Sequence, residues 1–194
     1  MTTWALHGRV TTDRPLLVVA VDEEAAHLRT GSHPVLVTGA GKVNAATALA
    51  TVLAAPVRPS SVVNLGTAGA LRAGWTGLHE VARVVQHDLD DALLERLTGR
   101  RFGPPVDLAP VGPVLATGDV FVADRAVRAR LAESADLVDM EGYAVARVAV
   151  AAGVPVRLVK HVSDDADERA GRSWVAAVEE CARVLAGWVD EHLG

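Results

Sequence analysis

A chain of 194 residues, half of them hydrophobic and 22% charged, suffices for one well-buried α/β domain and is too short for two ordinary ones. The net charge of −5 is spread, without a basic stripe interleaved with aromatics, which excludes nucleic acid as an expected partner. The single cysteine, Cys181, excludes an internal disulfide and a multi-thiolate metal site.

Pro15 to Val21 is a continuous apolar run, the pattern of a strand buried on both faces. Asp22 to Leu28 follows, with acids where the first turn of a short helix favours them. Pro34 to Thr38 reads as a second strand, and Gly39-Ala-Gly turns the chain into an Ala-rich helix from about Lys42 to Ala55. Ser61 to Leu65 is a third strand closed by Gly66-Thr-Ala-Gly, and Leu78 to Gln86 a fourth. Breakers between 88 and 112 (Gly99, Gly103, Pro104, Pro105, Pro110, Gly112) predict irregular structure there. Val114 to Ala116 and Leu137 to Met140 are short strands flanking a helix near Asp124 to Ala132. Glu141 to Ala152 is a helix stopped by Gly153, Pro155 to Val162 a strand, and Ser173 to Leu193 the last helix. The neighbours of Cys181 on that helix, Val178, Ala182 and Leu185, predict a buried thiol. Residues 1–14 read as an additional N-terminal piece, with a strand expected to end at Thr11-Thr-Asp-Arg-Pro, ahead of one domain over 15–194.

Strand and helix in alternation predict a single-domain, three-layer αβα fold around a mixed, mostly parallel sheet, without internal repeats. No long apolar run is free of charge and no basic-then-apolar leader is present, so the expectation is a cytoplasmic protein without a membrane partner.

Ligands of such sheets sit at the carboxyl ends of the strands. Five spots there carry chemistry: Glu23 and Glu24; Asn64 to Gly69; Gly118, Asp119 and Phe121; Asp139 to Glu141; and Ser163 to Asp167. Each has a bland reading as well. A Glu after a strand serves a helix first turn, and Ser163 with Asp164 can cap a helix. Gly39-Ala-Gly-Lys-Val lacks the first Gly and the Ser/Thr of a P-loop, and lacks the third Gly of a dinucleotide fingerprint. His87, Asp88, Asp90 and Asp91 could hold a metal but read more simply as a solvated strand end. No Ser, Thr or Cys sits in a nucleophile elbow.

Several segments, in order, resemble the nucleoside phosphorylase/hydrolase superfamily, and within it the methylthioadenosine/S-adenosylhomocysteine nucleosidases. They are Ala20-Val-Asp-Glu-Glu24, Ser32 to Leu53, Val62 to Leu71, Gly118-Asp-Val-Phe-Val122, Val138-Asp-Met-Glu-Gly-Tyr-Ala144 and Val159 to Asp167. Ser173-Trp174 stands where that family has Ser-Phe, and Asp139 where it has Glu. The resemblance implies a purine nucleosidase that needs no cofactor and no metal. In it Asp164 would protonate N7 of the leaving base and Glu24 would activate water. Glu141 would accept from the ribose hydroxyls, with Met140 against the sugar. Phe121 would stack on the base, and the Val122 backbone would read its edge. Thr67, Gly69, Asp139, Ser163 and Trp174 complete the implied substrate-binding set. Phosphorylases of the same superfamily need cations for phosphate, including an Arg on the third-strand loop; Asn64 stands there, and the first loop is acidic. Water is therefore the expected acceptor. The alternatives are a hydrolase of another purine ribosyl compound such as futalosine, a purine nucleoside phosphorylase, and a non-catalytic purine-binding domain. The chain is short between Glu24 and Ser32 and within 88–112, where the family carries loops beside the 5′ substituent. A homodimer is expected, both from the resemblance and from apolar residues on two helices (Ala45, Ala46, Ala48, Ala50 and Val52; Val145, Val148, Ala149 and Val150).

Overall fold

A computed structural model describes residues 4–29 and 31–194. At its centre are β2 (Leu16–Val19), β4 (Val62–Ala70) and β10 (Val156–Asp164), which run parallel to one another. β3 (Val35–Val37) adds in parallel outside β2, and β1 (Ala5–His7) closes that margin antiparallel to β3. On the other wing, β9 (Leu137–Asp139), β8 (Val114–Thr117) and β6 (Arg83–Gln86) are parallel neighbours, with β7 (Val106–Asp107) antiparallel at the edge. β5 (Gly77–Glu80) pairs antiparallel with β10. Parallel pairing dominates a mixed sheet, as expected.

Alternation along the strands feeds two cores. Leu16 and Val18 face α1 (Lys42–Leu53) and α4 (Gly142–Ala151), which pack on each other. Leu17 and Val19 face the other way, into a cluster closed by Leu185, Trp188 and Val189 of α5 (Ala170–Leu193). Both faces are covered, so the run from 15 to 21 has no polar positions to spare. Ala45, Ala48, Val52, Val145 and Ala149 lie inside the first core, with Ala46 and Val148 packed against it. The apolar faces expected to cover a partner are thus spent within one chain, because Ala allows close helix–helix approach. Only Ala50 and Val150 of that set remain exposed.

β4 positions the site. β10 lies along one edge of it as far as Gly69. On the opposite edge β2 stops at Asn64, and β9 enters from the far end against Gly69 and Ala70, running the other way. The carboxyl ends of β2 and β9 therefore point at each other across an unpaired stretch of β4. A strand reversal of this kind leaves a crevice.

Local expectations fail where side chains outcompete the helix. Residues 22–29 form successive turns with long hydrogen bonds (Ala25 to Val21, 3.4 Å; Ala26 to Glu23, 3.4 Å), because Glu24 folds back onto the sheet. The third strand continues through the glycines to Ala70, so Asn64 lies mid-strand rather than on a loop. It is 2% exposed and donates to the Val18 carbonyl (3.0 Å). The fourth strand breaks at Val81-Ala82 into β5 and β6, which pair with different neighbours. The stretch 88–112 contains α2 (Asp91–Thr98), capped by Asp90 at one end and by left-handed Gly99 at the other, and then β7. α3 (Arg125–Leu131) forms where expected, with Asp124 as its N-cap.

Candidate active site

All the residues that the resemblance implies for the site, from Glu24 to Trp174, line one cavity of about 250 Å³ over the gap in β4. That is near the lower end of ligand pockets, roughly 300–1,000 Å³. Glu23, by contrast, is exposed.

Glu24 fills the place where β2 would have continued. The Ala20 amide donates to its Oε2 (3.0 Å), and Thr67 donates to Oε1 through both its amide (2.9 Å) and its hydroxyl (3.1 Å). Gly66 makes room: a Cβ there would lie 3.1 Å from Glu24 Oε1 and 3.3 Å from Lys160 Nζ. The carboxylate is 4% exposed as a residue and held at both oxygens.

Opposite, β9 ends in Asp139, Met140 and Glu141. Asp139 is a buried hub: Thr117 donates to Oδ1 (2.5 Å), and the Gly142 amide at the start of α4 donates to Oδ2 (2.8 Å). Lys160 Nζ lies 2.9 Å from the same Oδ2. Glu141 reaches across to the start of α1, where it accepts from the Gly41 amide (2.7 Å), while Asp119 accepts from Lys42 N (2.8 Å). Two carboxylates therefore occupy the Gly-rich helix start that superficially resembles a phosphate loop. Burial, and then the charge of Asp139, push the Glu141 carboxyl up to about 8. For Lys160, burial pulls downward, but Asp139, Glu141 and Glu24 outweigh it and hold the amine above its usual range.

Asp164 sits at the end of β10, just past an irregularity in its register with β4. Ser163 Oγ donates to its Oδ2 (2.7 Å) and the Ala166 amide to its Oδ1 (2.8 Å). That amide is aimed by a left-handed Ala166 (φ 49°), a strained conformation for a residue with a Cβ. Burial raises the Asp164 carboxyl above its ordinary value despite both donors. Gly69 faces it so closely that a Cβ would lie 3.0 Å from Oδ1. Val122 is buried in the wall, whereas Phe121 is 45% exposed at the mouth. Trp174, the fifth residue of α5, donates its indole N–H to Thr67 Oγ1 (2.9 Å).

The acidic cluster near 88 is engaged elsewhere. Asp88 binds Lys42 (2.6 Å), Asp90 caps α2, and Asp91 accepts from the Phe102 (2.6 Å) and Gly103 (2.9 Å) amides. Cys181 is buried, 3.1 Å from His161 Nδ1, and burial lifts its thiol to about 11, so it is no nucleophile at neutral pH.

A sequence profile described as the Phosphorylase superfamily matches residues 77–191. A 5′-methylthioadenosine/S-adenosylhomocysteine nucleosidase of Geobacillus kaustophilus is 32% identical over 176 residues, covering 76% of this chain and 73% of that one. The chain belongs to the phosphorylase superfamily. An aminodeoxyfutalosine nucleosidase of Campylobacter jejuni matches a shorter part, 37% identical over 78 residues, 39% of this chain and 34% of that protein. The fold matches a solved 5′-methylthioadenosine/S-adenosylhomocysteine nucleosidase of Helicobacter pylori (TM-score 0.81, 22% identity, 94% of this chain and 98% of the other). A futalosine hydrolase mutant of the same organism is equally similar (TM-score 0.81, 22% identity, 93% and 97%).

In this member of the phosphorylase superfamily, sequence reading gave Lys160 no role. The signal was available: one of only two lysines lies between Val159 and His161 in the strand that leads to Asp164 on the carboxyl-terminal rim. A buried lysine needs a carboxylate partner, and Asp139 on the neighbouring wing is the one it finds.

Proposed function

We propose that this chain is an N-glycosidic hydrolase that releases the free base and the ribosyl sugar from a purine nucleoside or a 5′-substituted adenosine. The observation that carries the reading is the pairing of unlike carboxyls in one cavity: Asp164, raised by burial, and Glu24, fixed by three donors. The C–N bond breaks through an oxocarbenium-like state, so the leaving base needs a proton and C1′ needs an oxygen nucleophile. Asp164 supplies the proton to N7 as the bonding pair leaves with the base. Glu24 takes a proton from the water that bonds to C1′. Glu141 receives the ribose hydroxyls, Met140 packs on the sugar, and Phe121 and Val122 contact the base.

Water is the acceptor because four carboxyl-bearing side chains line the cavity and the one buried ammonium beside them is paired with Asp139. Asn64 no longer bears on this point, since it is turned into the sheet. The names of the relatives, methylthioadenosine/S-adenosylhomocysteine nucleosidases and aminodeoxyfutalosine nucleosidases, favour a 5′-extended adenosine-like substrate. The proposal includes a cytoplasmic homodimer, with Val120 (66% exposed) and Phe121 at the mouth lying against the partner. The test is base release from a panel of adenosine, methylthioadenosine, S-adenosylhomocysteine and aminodeoxyfutalosine, with and without phosphate. Free base with free sugar is the expected result. A ribose 1-phosphate product would transfer the chain to the phosphorolytic branch, and no base release from any member would leave a binding domain.

A further inference from the structure

The Trp174 hydrogen bond has a fixed direction, because an indole N–H can only donate. Thr67 Oγ1 must therefore accept it (2.9 Å), which leaves the single hydroxyl proton for Glu24 Oε1 (3.1 Å). Without the indole, the hydroxyl is free to turn: its proton could go to another acceptor and its lone pairs to water in the cavity. With the indole, Thr67 is held as a donor to the carboxylate. We infer that Trp174 is a positioning residue that aligns Glu24 through Thr67. This rests on the hydrolase reading for its consequence, though not for the contact itself.

The position of Trp174 adds a second link. The loop that leaves Asp164 passes through left-handed Ala166 to Asp167, which fixes the approach to α5 by accepting from the Arg169 amide (2.8 Å) and pairing with its guanidinium (2.9 Å). Trp174 follows as the fifth residue of that helix. One continuous segment, 164–174, thus carries the acid and also reaches over to orient the base. A shift of this segment would move both catalytic groups together. Trp174 lines the cavity and is only half-buried, so an occupant of the cavity touches the indole directly.

Trp174→Phe keeps an aromatic ring and removes only the donor. The expected result is a fall in kcat of roughly three- to tenfold, the range for one hydrogen bond, with KM changed less than about twofold. Thr67→Val removes the same chain at its middle, so the double variant should be no slower than Thr67→Val alone. Independent packing effects would multiply instead. Thr67→Ser keeps a hydroxyl and should restore the sensitivity to Trp174→Phe. A second readout does not depend on turnover: the ¹⁵N-indole signal absent from Trp174→Phe should be protected from solvent exchange, and should shift in Thr67→Val and in Glu24→Gln. A freely exchanging signal that is unmoved in both variants overturns the inference. So does wild-type kcat in Trp174→Phe. If wild type releases no base while the signal behaves as stated, the alignment stands and the hydrolase reading fails.

Discussion

The Lys160 ammonium lies 2.9 Å from Asp139 Oδ2, with both residues buried, and Glu141 and Glu24 also act on the amine. Three carboxyl-bearing groups therefore share one cation in a low-dielectric pocket. Burial first, and then the charge of Asp139, raises the Glu141 carboxyl, and the shared cation only partly offsets them.

Removing the cation should be costly. Lys160→Met leaves Asp139 buried without its counter-charge, and breaking such a pair typically costs about 3–5 kcal/mol. Asp139 also holds the Gly142 amide at the start of α4, so the loss should reach the helix. Adding Asp139→Asn to Lys160→Met removes the stranded charge and should recover most of the stability. Urea unfolding at pH 7 reads both variants. A single variant as stable as the parent would mean that the pair contributes nothing net.

Glu141 gives the pH dependence its sign. Its carboxyl titrates near 4.5 when unfolded and about 8 when folded, so between those values the folded chain holds a proton that the unfolded chain has lost. The stabilising effect is complete below pH 4.5, falls as pH rises, and is gone above about 8. Glu141→Gln cannot ionise, so its melting temperature should fall less between pH 5 and 8, leaving it more stable than the parent at pH 8.5. Parallel melting curves across that range would refute the assignment.

Asp164→Asn should abolish base release while preserving the fold. The amide keeps the shape but carries no acidic proton, and general acid catalysis is worth about 100- to 10,000-fold. Circular dichroism and single-turnover base release test the two halves. Near-parental turnover would require another acid.

Assembly should depend on the mouth rather than on the helices. Val43 (74% exposed), Val120 and Phe121 are apolar and uncovered, whereas the faces of α1 and α4 are packed together. Light scattering at micromolar concentration should return twice the 20.3 kDa chain mass. Val120→Glu should shift it towards monomer. A fully active monomer would mean that each cavity is complete within one chain.

The sheet and its rim were legible because buried parallel strands leave unbroken apolar runs, as in Leu16–Val19, and because the motifs kept their order. α2 was not: Leu93, Leu94 and Leu97 recur at helical spacing, but the helix is short, buries none of its residues and runs into the breakers Gly99, Gly103, Pro104 and Pro105, with Asp90 and Gly99 marking its two ends. The extent of β4 was hidden by Gly66 and Gly69, which read as a turn but are there to admit Glu24 and Asp164. The Lys160–Asp139 pair joins residues distant in sequence, so no local pattern could reveal it.

The unpaired stretch of β4 between β2 and β9 amounts to a sheet edge enclosed within the molecule. Exposed edges recruit strands, and one inside a protein would ordinarily be filled by its own chain. Here the recruit is a single side chain, Glu24, which takes the Thr67 amide and leaves the rest of the gap as cavity. Glu24→Ala would therefore strip partners from two backbone amides as well as remove a base, at about 1–3 kcal/mol for each left unmet. The opposite change carries its own hazard. A β2 extended past Val19 would complete the ladder, and substitutions that improve the sheet at this point would gain order by closing the space in which a ligand must sit.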